Sequence, residues 1–357
     1  MKRLLIVLAS LWTLASCGGK APEPQQAQAP AAEMQTYRIA WSHYTGWEPW
    51  GYADHAGILK KWADKYGIKI ELTLVNDYVE SINLYTTGRF DACVMTNMDA
   101  LTIPAVGGID SEAIIVGDFS NGNDGIIVKS GSSVKDLKGK TINLVELSVS
   151  HYLLARALDL NGLTERDIKV VNTSDADIAA MFTSDKNGAA VTWNPPLMKA
   201  LAAPGAKLIF DSSKIPGEIM DLMVVKTSAP DTLKKALTGA WYETMALIST
   251  PGPSADEAIK FMADASGATV DEFKAQLGTT AMFYEAAQGA AFAASPDVGK
   301  TMQQVRQFSF SKGLFGQNAK SVDDVGIALA DGSLGNQDNI KLRFTAQYMQ
   351  MAADGKL

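Results

Sequence analysis

The sequence predicts an α/β protein of two lobes, each a mostly parallel sheet flanked by helices, with a helical tail after the second lobe. Three observations carry this. Segments of strand period and helix period alternate from Tyr37 onward; the alternation restarts near Val134; and beyond Asp231 the pattern is mainly helical.

In order, Tyr37 to Trp41 is a short apolar strand. From Trp50 to Tyr66 apolar residues recur at helical spacing (Ala53, Ala56, Leu59, Trp62, Ala63, Tyr66), and Gly67 stops that helix. Lys69 to Val75 alternates as a strand, Val79 to Thr87 is a helix closed by Gly88, and Ala92 to Met95 is a third strand before a helix from about Asp99 to Val106. Ala113 to Val116 and Ile126 to Val128 are further strands. The second run has strands at Thr141 to Val145, Ile168 to Val171, Gly188 to Trp193 and Lys207 to Phe210. Between them lie helices at Ser150 to Asn161, Ala176 to Thr183 and Pro195 to Ala202. Leu222 to Lys226 reads as a strand returning to the first lobe. The tail reads as helices, among them Thr232 to Ile248, Met282 to Ala293, Val298 to Lys312, Ser321 to Ile327 and Asn339 to Met351. The expected division is lobe 1 at 36–127 plus 227–357 and lobe 2 at 128–226. This is a periplasmic-binding-protein architecture of type II, and in such sheets ligands bind beyond the carboxyl ends of the strands.

The N-terminus sets the compartment. Met1-Lys2-Arg3 precedes an apolar run, Leu4 to Leu14, and then Leu14-Ala15-Ser16-Cys17-Gly18. A basic start, a short apolar core and small residues form a secretory signal, expected over 1–16. At about eleven residues the run falls well short of the ~20 that span a bilayer. Leu-Ala-Ser-Cys resembles a bacterial lipobox, which implies acylation of Cys17. Residues 17–35, rich in Pro, Gln and Ala, read as a flexible tether. The expected location is the periplasm or the outer face of the cytoplasmic membrane, with the lipid as the only membrane contact.

Composition narrows the chemistry. The net charge is −7, and loss of Lys2 and Arg3 takes it to −9, which argues against nucleic acid or anionic lipid as partner. Cys93 lies in an apolar strand and reads as a core thiol. His43, His55 and His151 lack metal-ligand spacing, and no cofactor motif occurs, so no cofactor is expected.

The strand-end rule selects a few segments: Trp41 to Trp50, Val75 to Glu80, Thr96 to Asp99, Asn121 to Asp124, Val145 to Ser150, Asn172 to Asp177 and Thr192 to Pro195. None contains Lys or Arg, and most carry a carboxylate or aromatic residues. Anion receptors need guanidinium or ammonium groups or carboxylate-free helix N-termini; cation receptors need aromatic faces and acceptors. The candidates for stacking are Trp41, Trp47 and Trp193, then Tyr44 and Tyr78. For charge they are Asp77, Glu146 and Asp99, with Asn97 and Asn194 as amide partners. Asp77 and Asp99 also read as helix caps, and the aromatics also read as core.

Tyr78-Val79-Glu80-Ser81 through Gly88-Arg89-Phe90-Asp91-Ala92, Val134-Lys135-Asp136-Leu137-Lys138-Gly139-Lys140-Thr141 and Ser150 to Leu158 resemble the nitrate/taurine-type substrate-binding proteins of ABC importers, which share a fold with thiamine-precursor synthases. Trp41 to Trp47 and Val191 to Pro195 resemble more narrowly the binding proteins encoded beside urea carboxylase. That resemblance implies urea or guanidinium as cargo and an inner-membrane ABC permease as partner. The expectation is therefore a monomeric, non-enzymatic binding protein that closes on a small planar nitrogen-rich cation. Alternatives are a binder of nitrate, sulfonate, urea or a thiamine-precursor-like solute, an enzyme of the thiamine-precursor type, and a tethered sensor.

Overall fold

The computed structural model describes residues 34–185 and 188–357. The signal, Cys17 and all of the tether before Met34 lie outside the described residues.

The strands are β1 (Thr36–Trp41), β2 (Lys69–Leu74), β3 (Ala92–Thr96), β4 (Ser111–Ser120), β5 (Asp124–Val128), β6 (Thr141–Leu144), β7 (Lys169–Asn172), β8 (Ala189–Trp193), β9 (Lys207–Asp211), β10 (Met220–Lys226), β11 (Thr280–Met282), β12 (Gly326–Leu329), β13 (Gly332–Leu334) and β14 (Ile340–Phe344). They form a 9-stranded sheet, ordered β13-β12-β14-β4-β10-β3-β1-β2 with β11 beside β4, and a 5-stranded sheet ordered β7-β6-β8-β5-β9. β1 pairs in parallel with β2 and β3, as β6 does with β7 and β8. The strands flanking the crossovers are antiparallel to their neighbours: β10 to β3 and β4, β5 to β8 and β9. The chain passes between sheets twice, from β4 to β5 and from β9 to β10. The two passages are tied where Ser120 Oγ and Ser212 Oγ lie 2.7 Å apart and the Gly122 N–H donates to Ser212 Oγ at 2.7 Å.

Several expected elements differ. The helix expected over Trp50 to Tyr66 is two, Glu48–His55 and Ile58–Lys65, because Gly57 takes a left-handed turn at φ 72° between them. The tail is mainly helical through Pro296–Ser311, with the short strand β11 within it, and then adds further strands. Where a helix is expected from Asn339 to Met351, Ile340–Phe344 is a strand against β4 and β12, followed by a helix at Gln347–Ala353. The sequence Ile-Lys-Leu-Arg-Phe alternates with period two, the strand signature. Likewise Ser321 to Ile327 ends in strand β12, and Met282 closes strand β11 ahead of the helix Ala286–Ala293.

The larger sheet is covered by helix Asp231–Ser249, whose Trp241 stacks on Trp50 at 5.0 Å between centroids. The helix Pro296–Ser311 runs across to Val149–Leu160, beside the smaller sheet, placing Phe308 edge-on to Tyr152 at 5.2 Å. Arg156 of Val149–Leu160 grips Glu218, in the second passage, through two bonds of 2.8 and 3.0 Å, the bidentate geometry that fixes orientation as well as charge. Among the described residues no helix is long and apolar enough to cross a membrane.

Candidate functional site: an acidic, aromatic chamber between the sheets

The loop after β1 turns back on itself and buries its rings. Tyr44, Trp47 and Trp50 are each at most 4% exposed. Gly46 makes this turn possible: a Cβ there would sit 2.6 Å from both Asp118 Oδ2 and Tyr44 Cε1. The rings continue as a chain of contacts, Tyr44 to Trp47 at 4.9 Å, Trp47 to Tyr78 at 5.5 Å and Tyr78 to Trp193 at 5.7 Å between centroids. Trp193 ends β8 of the smaller sheet, so this aromatic wall joins elements of both sheets. It lines a narrow chamber of about 10 Å³, to which Asp124 and Asp221 also contribute. A second narrow chamber, also of about 10 Å³, adjoins it, sharing Trp47 and Asp221 and adding Asp118, Trp50 and Trp241. Each has the open room of about one water molecule, so a solute enters only if the walls part.

The electrostatics are unusual. Asp118, Asp124 and Asp221 are each at most 2% exposed. Asp118 on β4 and Asp221 on β10 are direct cross-strand partners, an arrangement in which like charges oppose one another. Among the described residues none of the three is ion-paired with Lys, Arg or His. Burial is the main cause that pushes Asp118 and Asp124 up to about 7, and Asp221 well above the usual carboxylate range, with the neighbouring Asp118 and Asp124 charges adding to the last. Tyr44 donates to Asp118 Oδ1 at 3.4 Å. Asp118 Oδ2 and Asp221 Oδ2 have no hydrogen-bond partner among the described residues. Buried carboxylates ordinarily persist only when paired.

The residues picked from the sequence fall in several places. Tyr44, Trp47, Tyr78 and Trp193 line the chamber. Asp99 is buried one contact behind it, accepting from Tyr78 OH at 2.7 Å and Thr96 Oγ1 at 2.9 Å; burial pushes it up to about 6. Trp41 packs beneath Gly51 and edge-on to His43, in the core rather than on the chamber wall. Asp77 is exposed and caps helix Tyr78–Thr86 by accepting the Glu80 N–H. Glu146 is exposed too, and both line an outer groove between the sheets rather than the chamber. Asn97 accepts from the Met220 N–H and donates to the Glu218 carbonyl, bracing the second passage. Asn194 accepts from Met198 N and donates to Thr279 Oγ1, and its own N–H bonds Asn123 Oδ1. Both amides are spent on the frame. Cys93 is sealed in β3 and burial pushes its thiol up to about 12. The acidic trio was missed. Asp118 and Asp221 stand inside strands, not beyond their ends; their signal is a lone carboxylate in an apolar run, as in Ile219-Met220-Asp221-Leu222-Met223.

Comparison with known proteins bears on the fold. Residues 54–228 match the family described as NMT1/THI5 like, and over that stretch the chain is similar to its members. No curated protein matches the chain in sequence. Among solved structures, the alkanesulfonate-binding protein SsuA from Xanthomonas axonopodis pv. citri, bound to MOPS, superposes with a TM-score of 0.64 at 20% identity, over 80% of this chain and 96% of that one. The periplasmic aliphatic sulphonate binding protein SsuA from Escherichia coli gives 0.64 at 19% identity, over 79% and 89%. The periplasmic nitrate-binding protein NrtA from Synechocystis PCC 6803 gives 0.56 at 13% identity, over 91% and 99%. The chain has the two-lobed periplasmic-binding-protein fold of type II.

Proposed function

We propose that the protein is the solute-binding component of an ABC importer and that it captures a small planar nitrogen-rich cation, guanidinium above all, between its lobes. One observation carries the cargo assignment: three buried aspartates, Asp118, Asp124 and Asp221, face an aromatic chamber with no basic side chain to pair them. Guanidinium has N–H donors around its edge and an apolar face. Carboxylates accept at the edge and indole or phenol rings cover the face. Two charged hydrogen-bond sets at about 1.5–3 kcal/mol each and two ring contacts at roughly 0.5–2 each give about 4–10 kcal/mol. Micromolar affinity needs about 8, so the site must exclude water, and lobe closure does this.

In this reading the lobes divide near 36–127 plus 227–357 and 128–226, the chain works as a monomer, and a lipid on Cys17 holds it outside the cytoplasmic membrane beside the permease. The similar folds named for sulfonate and nitrate raise an anion as the second reading. An anion would enter a chamber of carboxylates with no cation to meet it, which disfavours that cargo. Calorimetry of the soluble domain with guanidine, urea, nitrate and taurine tests the assignment. Heat with guanidine and none with nitrate or taurine is expected; the reverse pattern ends the cation reading.

A further inference from the structure

The chamber offers more than acceptors. Trp47 and Trp241 both line the second chamber, each is at most 4% exposed, and the Nε1 of each has no hydrogen-bond partner among the described residues. Gly117, on the same wall, places the indole edge of Trp241 close by: a Cβ at 117 would lie 2.8 Å from Trp241 Cζ2 and 3.4 Å from Cε2, the ring atom bonded to Nε1. The second chamber therefore combines two unpaired donors with the unpaired oxygens Asp118 Oδ2 and Asp221 Oδ2. Unpaired buried donors are costly, and native proteins rarely leave them so. Guanidinium is donor-only and satisfies the carboxylates but neither indole.

We infer that the preferred cargo is a flat guanidinium-type cation carrying a carbonyl oxygen, of the carbamoyl- or acylguanidinium class, with its nitrogen head at Asp124 and Asp221 and its oxygen accepting from the indole N–H groups of the second chamber. This rests on the cation reading above and narrows it. The two chambers share Asp221 and Trp47, so when the walls part around a solute, one two-ended molecule can meet both sets of groups. Val94, Ile115, Leu222 and Met223 supply the apolar part of the second chamber's lining.

The test is competition calorimetry on the wild-type domain with guanidine, methylguanidine and carbamoylguanidine. Methylguanidine fills space without an acceptor. Carbamoylguanidine is expected to bind roughly tenfold or more tighter than either, the scale of satisfying a buried donor. Trp241→Phe, which keeps a ring but removes the N–H, should erase most of that advantage, read as the ratio of carbamoylguanidine to methylguanidine affinity within the same variant. Carbamoylguanidine binding no tighter than methylguanidine, while guanidine binds, overturns this inference and leaves the cation reading intact. An advantage that survives both Trp241→Phe and Trp47→Phe overturns the assignment of the oxygen to the indoles. Binding of nitrate or taurine with no response to any of the three cations overturns both readings.

Discussion

Replacing Asp124 by Asn separates the cost of the acidic chamber from its use. Asp124 is fully buried, its carboxyl stands at about 7 in the fold against an ordinary 3.8, and burial is the main cause. A difference of about three units corresponds to about 4 kcal/mol. The sign follows from linkage: the native state holds the proton more tightly, so the stability this group contributes is full below pH 3.8. It falls as pH rises and is gone above about 7. Asn has the same shape and does not titrate. Urea denaturation of the ligand-free wild type and the Asp124→Asn variant at pH 5 and pH 8 should show the variant gaining about 2–3 kcal/mol over wild type between the two pH values. The same variant should lose guanidine affinity by about 10- to 150-fold, the equivalent of one charged hydrogen-bond set at about 1.5–3 kcal/mol. A variant that is stabilised at high pH and poor at binding is the expected signature of a site maintained against stability. Parallel pH profiles for the two proteins, or unchanged affinity, would refute the reasoning.

Further outcomes follow from the same geometry. Cation binding should drive protons off Asp118 and Asp124, so guanidine affinity should rise by up to about tenfold per pH unit per proton released between pH 6 and 7. Calorimetry in buffers of different ionisation enthalpy measures that release, and an affinity flat across this range contradicts it. Gly46→Ala should cut affinity by more than tenfold, because a Cβ 2.6 Å from Asp118 Oδ2 forces the loop or the carboxylate to move; titration alongside a melting curve separates binding from folding. Asp175 lines both outer grooves between the sheets, where the neighbouring Asp77 adds negative charge. Asp175→Ala should speed cargo release by about threefold to tenfold, measured by stopped-flow fluorescence of the chamber tryptophans. Asp77→Asn and Glu146→Gln, both at the exposed groove, should leave affinity within about twofold, as surface charges usually do.

Much of the fold was legible because period and punctuation agree along residues 36–226, where glycines close helices and apolar runs mark strands. The tail was harder: Ile340–Phe344 is short and directly precedes a helix, so its period-two pattern was overridden by the longer helical one. The aromatic wall was legible too, since Tyr44, Trp47, Tyr78 and Trp193 all follow or close strands. The acidic trio was not. A rule that looks past the last residue of a strand overlooks Asp118 and Asp221 within theirs, and Asp124 opens a strand in a segment whose asparagines gave no reason to single it out. Exposure also cannot be read locally: Asp77 and Asp99 look alike as helix caps, yet one faces solvent and the other is sealed.

The facing carboxylates of Asp118 and Asp221 sit on β4 and β10, the strands that lead into and out of the passages joining the sheets. Whatever neutralises that pair also relaxes repulsion across the seam on which the halves would turn. In the cation reading proposed above, selectivity and mobility share the same few atoms, so a change that retuned one would touch the other.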